Sequence, residues 1–136
     1  MAFVLDASVA LAWHFQDEAS AYADRVLERL REDDALVPAV WPLEVANGLL
    51  AAERRGRLSA ADVAAAHGIL LDLPIAVNAL TLDEALGSVV DLARAQGLSA
   101  YDAAYLHLAM REGLALATQD DELRAAATRV GVALVD

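Results

Sequence analysis

The stretch "GLSAYDAAYLHLAM" (residues 97–110), with "LALAT" (114–118) soon after it, decides the fold class. Ser99 followed three residues later by Asp102, ahead of an apolar run, has the spacing of a capping box at a helix N-terminus. The helix that follows is apolar enough to be largely buried, and "LALAT" predicts a short buried strand. The spacing leaves open whether Asp102 is a helix cap or a carboxylate held for chemistry.

The same alternation of short apolar runs and helical patterns extends over the whole chain. Strands are predicted at residues 2–5, 35–40, 74–80, 114–118 and 132–135, and helices at 7–15, 18–32, 42–56, 59–73, 81–97, 98–110 and 121–131. The helical spacing sets Ala21, Val26, Leu27 and Leu30 on one face of the second helix, and turns Leu82, Leu86, Val89 and Ala93 inward in the fifth. Short apolar strands separated by helices describe a parallel sheet covered on both faces. We therefore expect a single three-layer α/β domain over residues 1–136, with about five short parallel strands flanked by helices.

Composition narrows the possible functions. Hydrophobic residues make up 58% of the 136-residue chain, which excludes a disordered protein. No apolar run is long enough to span a membrane and no basic leader precedes the first strand, so we expect a cytoplasmic protein. The chain has no cysteine, and its 10 basic residues are all arginine. Disulfides, thiolate chemistry, Schiff-base lysines, P-loop lysines and the lysine of a phosphoacceptor receiver domain are thereby excluded.

The net charge of −11 is unusual for a protein that grips nucleic acid by neutralising phosphates. Taken alone, it favours a cationic partner or metal ions. The arrangement of the charges matters more than their sum, and several of the acids lie at the ends of the predicted strands.

Four acids lie at positions where a parallel sheet would gather them: Asp6, Glu44, Asp102 and Asp120. Each alone has a structural explanation, because Asp and Glu are the usual residues of helix caps and first turns. Together they face the edge at which parallel strands end and open α/β sheets bind ligands. They also flank strands one and four, which we expect to be central.

Carboxylates crowded into one crevice repel each other unless a cation joins them. Mg²⁺ and Mn²⁺ prefer oxygen ligands and need few carboxylates when a substrate phosphate completes their coordination. The pattern therefore favours a Mg²⁺ or Mn²⁺ site at which metal-activated water hydrolyses a phosphodiester.

Three segments in order, "FVLDAS" (3–8), "PLEVAN" (42–47) and "LSAYDAAYLHLAMREGLALATQDDEL" (98–123), resemble the PIN domain family. More narrowly, they resemble the VapC-type toxins of bacterial toxin–antitoxin pairs. The resemblance covers essentially the whole chain. It implies a Mg²⁺- or Mn²⁺-dependent endoribonuclease, usually a homodimer, that is silenced by a cognate VapB-type antitoxin.

Position by position, the resemblance assigns the catalytic and metal-ligating roles to the four acids. It gives Ser8, Asn47 and Thr118 the role of supporting polar residues, and the helical spacing lets Asn47 face the crevice with Glu44. The basic run "ERRGR" (53–57) is a solvated turn by default, and its Arg54, Arg55 and Arg57 are candidate RNA contacts. Asp121 is either an extra ligand or a solvated first-turn acid. The alternative to a ribonuclease is a catalytically inactive PIN-fold binding module.

Overall fold

A four-stranded parallel sheet forms the centre of the computed structural model, which describes residues 1–18 and 20–136. Its strands β1 (Ala2–Leu5), β2 (Asp34–Pro38), β3 (Ile75–Asn78) and β4 (Ala115–Ala117) lie in the order β3-β2-β1-β4. The helices around it are α1 (Ala7–Ala12), α2 (Ala21–Arg29), α3 (Trp41–Arg54), α4 (Ala60–Leu71), α5 (Leu82–Glu84), α6 (Val90–Gln96), α7 (Ala100–Glu112) and α8 (Asp121–Val130). The predicted α/β fold with a parallel sheet flanked by helices is confirmed.

The core is built on β1 and α7. Residues 3–5 of β1 are fully buried, and β1 pairs with β2 on one side and β4 on the other. Helix α7 packs against all three of these strands and buries Tyr105 and Leu106 completely. The apolar run that follows Asp102 is therefore buried, as the sequence predicts.

Local sequence signals set the ends of the helices. Ser99 caps α7 through its hydroxyl, and Gly113 ends the helix in the left-handed conformation with φ +67°. Glycine adopts this conformation without a Cβ penalty, so the chain turns at once into β4. Side-chain caps also begin five other helices, at Asp6, Ser20, Ser59, Thr81 and Asp120.

The predicted helix at 81–97 forms, but the prediction of which of its side chains face the core is partly wrong. Leu82 and Leu86 are 75% and 67% exposed, whereas Val89 is buried. Residues 85–89 form a π-helical turn between α5 and α6. Such a turn adds a residue to the helix and shifts the face that follows, so a constant helical period cannot describe the whole segment.

The predicted helix at 18–32 is shorter than expected. Gln16–Glu18 form a separate 3₁₀ turn, and α2 begins after its cap at Ser20. Ala21 is exposed, while Ala23 takes the buried position one turn before Val26 and Leu27. The hydroxyl of Ser20 accepts the Ala23 N–H at 2.9 Å, which fixes the start of the helix.

Two expectations about the sheet also differ from the structure. The predicted fifth strand at 132–135 is reduced to a single parallel bridge between Leu116 and Leu134. The central pair of the four-stranded ladder is β1 and β2, not strands one and four, and within residues 1–18 and 20–136 this bridge is the one pairing on the outer side of β4. The backbone of Leu116 makes both hydrogen bonds of this bridge, to the Ala133 carbonyl and from the Val135 N–H, each at 2.9 Å.

In the described part of the chain, no helix has both the length and the apolar character needed to cross a membrane.

Candidate active site

The four predicted acids surround one open cavity of ≈ 580 Å³ at the carboxyl-terminal edge of the sheet. Asp6 follows β1 directly, Glu44 lies in the first turn of α3 after β2, and Asp120 lies just beyond β4. Asp102 reaches the same edge from the first turn of α7, which leads into β4. The parallel topology therefore brings together residues that are up to 114 positions apart in the sequence, from 6 to 120.

Asp6 is the most buried of the four acids, with 6% of its surface exposed. Its Oδ2 accepts hydrogen bonds from the hydroxyls of Ser8, at 2.8 Å, and Thr118, at 2.7 Å. Its Oδ1 accepts a long bond of 3.4 Å from the Ser8 backbone N–H. Two hydroxyl donors on one oxygen hold the carboxylate in place and stabilise its charge inside the protein.

Glu44 is half-buried and bonded to Tyr105. The Tyr105 hydroxyl donates to Glu44 Oε1 at 2.7 Å. Burial raises the pKa of the Glu44 carboxyl, although the hydrogen bond from Tyr105 opposes the rise. The negative charges of Asp6 and Asp102 raise the pKa of Glu44 further, which shows that the three acids act on one another.

Asp102 does not complete the capping box that its spacing suggests. The Ser99 hydroxyl accepts the Asp102 backbone N–H at 3.1 Å, but the described structure has no return bond from the Ser99 N–H to the Asp102 carboxylate. In the corresponding pair at α4, both bonds are present, and Asp62 Oδ2 accepts the Ser59 N–H at 2.9 Å. The Asp102 carboxylate is therefore free to face the cavity.

The surroundings of Asp102 also disfavour its negative charge. Burial raises the pKa of the Asp102 carboxyl, and the neighbouring charges of Asp120 and Asp6 raise it further. The nearby Ser99 opposes this rise only weakly, as the smallest of the contributions. A carboxylate with raised pKa among other carboxylates gains from a bound cation, which reverses the local field.

Asp120 combines an exposed position at the cavity with a structural role. Its Oδ1 accepts the Glu122 backbone N–H at 3.0 Å and so caps α8. Its own N–H donates to the Thr118 hydroxyl at 3.1 Å, and that hydroxyl donates in turn to Asp6. Asp121, in contrast, is an exposed first-turn residue of α8 outside the cavity lining.

The three supporting polar residues are placed differently. Ser8 and Thr118 both bond Asp6, as described above. Asn47 is exposed and lies outside the cavity lining, so the structure does not meet the expectation that it faces the crevice with Glu44. The i, i+3 spacing from Glu44 fixes the helix face only approximately, and Asn47 falls on the solvent side of that face.

The candidate RNA contacts lie at the far end of α3. Arg54 and Arg55 are exposed at its C-terminus, about 15 Å along the helix from Glu44. Arg57 is engaged within the protein: its Nη2 lies 3.0 Å from both Asp17 and Glu18, and its guanidinium stacks 4.6 Å from the Phe15 ring centre. Arg57 thus holds the 3₁₀ turn against the end of α3.

Two residues at the site escaped sequence analysis. Tyr105 lies one turn after Asp102, so the helical spacing could have pointed to it, but its apolar neighbours suggested an ordinary core residue. Glu18 lines the cavity from the 3₁₀ turn. No sequence signal pointed to Glu18, because the helical pattern placed it at the start of α2.

The donor chemistry of the cavity fits Mg²⁺ or Mn²⁺. Carboxylate oxygens are the ligands these hard cations prefer, and the four acids supply a surplus of them. Within residues 1–18 and 20–136, no three acidic or histidine side chains are placed so that they could hold one ion together. Mg²⁺ is commonly bound through one or two carboxylates, with water and substrate phosphate as further ligands, so pairs from this set are sufficient.

The sequence of this chain matches the family model described as PIN domain over residues 3–128, a range that includes all four acids. The chain is also 33% identical, over 123 residues, to Ribonuclease VapC3 of Pyrobaculum aerophilum. That alignment covers 90% of this chain and 92% of the relative.

Solved structures share the fold. The crystal structure of PAE2754 from Pyrobaculum aerophilum superposes with a TM-score of 0.68 at 29% identity, covering 93% of this chain and 87% of that one. The crystal structure of VapBC2 from Rickettsia felis, bound to a DNA fragment from their promoter, gives a TM-score of 0.67. It covers 99% of this chain and 98% of its own, and at 12% identity it supports the likeness of fold alone.

Proposed function

Since this chain belongs to the PIN domain family, we propose that it is a Mg²⁺- or Mn²⁺-dependent endoribonuclease and the toxin of a toxin–antitoxin pair. The observation that carries the proposal is the convergence of four carboxylates on one open cavity. The name of the 33%-identical relative, Ribonuclease VapC3, supports RNA as the substrate. Hydrolysis of an RNA phosphodiester is the reaction that best suits a metal held by carboxylates at an open edge.

The acids differ in burial, and their proposed roles in metal binding follow from this difference. Asp6, fixed by Ser8 and Thr118, would provide a rigid ligand at the floor of the cavity. Asp102 and Asp120 are more exposed and would bind the ion from the rim, which is open to a substrate phosphate. When bound, Mg²⁺ or Mn²⁺ supplies Lewis-acid activation of water and neutralises phosphate charge.

RNA must approach an acidic protein, so its first favourable contact is with cations at the cavity. We place additional backbone contacts at Arg54 and Arg55, which are exposed at the end of α3. Arg57 would contact RNA only by giving up its ion pairs with Asp17 and Glu18. Substituting Arg54 and Arg55 is therefore expected to weaken RNA binding more than substituting Arg57.

We further propose a VapB-type antitoxin as the partner. An arginine of that partner suits the acid cavity, because a guanidinium bonds carboxylates in a bidentate manner and relieves their repulsion. Such an insertion would replace the metal and so silence the enzyme. A complex in which the cavity stays open with metal bound would contradict this mode of inhibition.

A cleavage assay tests the proposed activity. The purified protein is expected to cut single-stranded RNA with Mg²⁺ or Mn²⁺, to stop in EDTA, and to recover when excess Mn²⁺ is added. Asp6→Asn should abolish cleavage, whereas Asp91→Asn, an exposed acid on α6 outside the cavity, should leave it intact. Full activity in EDTA would contradict a metal-dependent mechanism. RNA binding without any cleavage would support the alternative, an inactive binding module.

A further inference from the structure

Tyr105 places a fully buried hydroxyl directly against the acid cluster. The hydroxyl donates to Glu44 Oε1 at 2.7 Å and accepts the backbone N–H of Ala7 at 3.3 Å. Since an N–H can only donate, the single hydroxyl proton is committed to Glu44. This arrangement fixes the direction of the bond as well as its length.

Through these two bonds, one side chain connects three of the acid-bearing segments. Ala7 directly follows Asp6, Glu44 is on α3, and Tyr105 itself lies one helical turn after Asp102 on α7. Movement of any one of these segments would stretch a bond to the hydroxyl. The tyrosine therefore connects the three segments that carry Asp6, Glu44 and Asp102.

Glu44 needs such a connection more than the other acids do. Its side chain is long, and burial, as the larger cause, together with the negative charges of Asp6 and Asp102, disfavours a negative charge on it and raises the pKa of its carboxyl. Holding a glutamate side chain in one rotamer also costs conformational entropy. Asp6 is restrained by Ser8 and Thr118, whereas Tyr105 is the side-chain donor to Glu44 among the described residues.

We propose that Tyr105 is a positioning residue of this site: its hydroxyl holds the Glu44 carboxylate at the cavity that Asp6 and Asp102 also line, where it can share a divalent cation with one of them. Oε1 is occupied by the tyrosine, so Oε2 is the oxygen left for the ion. The inference rests on the proposed metal-dependent function and adds a residue that acts through Glu44 without touching the substrate.

Tyr105→Phe, compared with Tyr22→Phe, tests the proposal. Both variants keep the ring and lose the hydrogen bond that the hydroxyl donates: Tyr105→Phe loses the bond to Glu44 together with the longer bond from the Ala7 N–H, and Tyr22→Phe loses the 2.9 Å bond to the Val135 carbonyl, away from the acids. Mn²⁺ binding is measured by calorimetry without RNA, and cleavage is measured with RNA. Tyr105→Phe is expected to weaken Mn²⁺ binding about tenfold or more, the effect of losing a hydrogen bond to a charged group. Tyr22→Phe is expected to bind Mn²⁺ like the wild type.

Kinetics and a double variant separate positioning from a general loss of structure. Tyr105→Phe is expected to lower kcat with little change in the KM for RNA, and the added loss should nearly vanish in a Glu44→Gln background. Wild-type Mn²⁺ affinity in Tyr105→Phe, or an equal loss in both backgrounds, would overturn the proposal. A wild-type protein that neither binds Mn²⁺ nor cuts RNA would instead overturn the proposed function itself.

Discussion

Asp102 and Asp62 occupy the same position in two Ser-x-x-Asp sequences, but their carboxylates have different surroundings. Asp62 bonds back to the Ser59 N–H and is solvated, and that hydrogen bond lowers the pKa of the Asp62 carboxyl. Asp102 lacks the return bond, and burial raises the pKa of its carboxyl. The two residues therefore form a matched pair in which one acid caps its helix and the other faces the cavity.

Substituting each acid by asparagine should separate the two roles. Asp102→Asn removes one charge from a crowded site, so the metal-free protein should keep its stability or gain some. Its stabilisation by Mn²⁺ should shrink, and RNA cleavage should fall by orders of magnitude. Asp62→Asn should lower the melting temperature while cleavage and the Mn²⁺ response survive. Melting curves with and without Mn²⁺, with a cleavage assay, decide this; a destabilised Asp102→Asn protein that cuts RNA normally would show that Asp102 is a cap.

The stability difference between wild type and Asp102→Asn should depend on pH in EDTA. Because the pKa of Asp102 is higher in the folded state than its ordinary value of 3.8, the folded state binds protons more tightly than the unfolded state. The charged carboxylate therefore costs stability above its folded pKa, and this cost is lost as the pH falls toward 3.8. The advantage of the asparagine variant should be largest near neutral pH and shrink on acidification. Denaturant titrations across this range measure it, and an advantage that grows on acidification would contradict the account.

Sequence spacing located the four acids because each follows a strand or begins a helix, and parallel topology brings such positions together. Tyr105 and Asn47 could not be placed in this way. Their roles depend on how α7 and α3 are rotated about their axes, which packing against the sheet decides. The Tyr105 hydroxyl contacts Glu44, whereas the Asn47 side chain is exposed to solvent.

At the scale of elements, the close packing of α1 against α3 sets the distance between Asp6 and Glu44. Gly48, one turn after Glu44, makes this approach possible: a Cβ there would meet the Leu11 side chain at 2.6 Å. Leu11 also lines the acid cavity. An added methyl group must therefore displace either the helix or a side chain at the site.

Gly48→Ala should leave the protein less stable than Gly68→Ala does, because the new Cβ must displace the Leu11 side chain, and it should reduce cleavage. Gly68→Ala in α4 is the matched control, because a Cβ there meets nothing within 4 Å. It should stabilise the helix by about 0.4–1 kcal/mol and leave cleavage unchanged. Chemical denaturation measures both variants. Adding Leu11→Ala to Gly48→Ala should recover part of the stability, and equal effects of the two glycine substitutions would contradict the packing argument.

The element predictions failed where local geometry departs from a constant period. A strong local signal, such as Ser59 with Asp62, predicts its helix well, and α4 forms where expected. The π-helical turn at residues 85–89 changes the face of its helix, and no residue type in "ALGSV" announces it. The closing segment at 132–135 has the composition of a strand but pairs through Leu134 alone. Pairing depends on the length of the neighbouring strand, which composition does not reveal.

At the scale of the whole molecule, large apolar side chains remain exposed at the β3 end of the sheet. Val77 on this edge strand is 55% exposed, and Leu71 at the end of α4 is 73% exposed. Helix α4 (AADVAAAHGILL) is rich in apolar residues, yet Ala66 is the one of its described residues that is buried. Exposed apolar surface of this extent is typical of proteins that associate.

We therefore expect the homodimer implied by the family resemblance to form in solution. Light scattering at micromolar concentrations, without antitoxin, should give twice the chain mass. Leu71→Glu, at a 73% exposed position on this surface, should shift the protein toward monomer, while Ala125→Glu on the exposed face of α8 should not. A wild-type protein that is monomeric across the concentration range would contradict the prediction.

The central claim is that the cavity formed by Asp6, Glu44, Asp102 and Asp120 holds a divalent cation. Crystals grown with Mn²⁺ and measured for anomalous scattering test this most directly, because the signal locates the ion independently of activity. We predict an anomalous peak in the cavity, within direct coordination distance of at least two of the four carboxylates. Asp102→Asn crystals should show a weaker peak. A cavity without a peak at millimolar Mn²⁺, in protein that cuts RNA, would contradict the account.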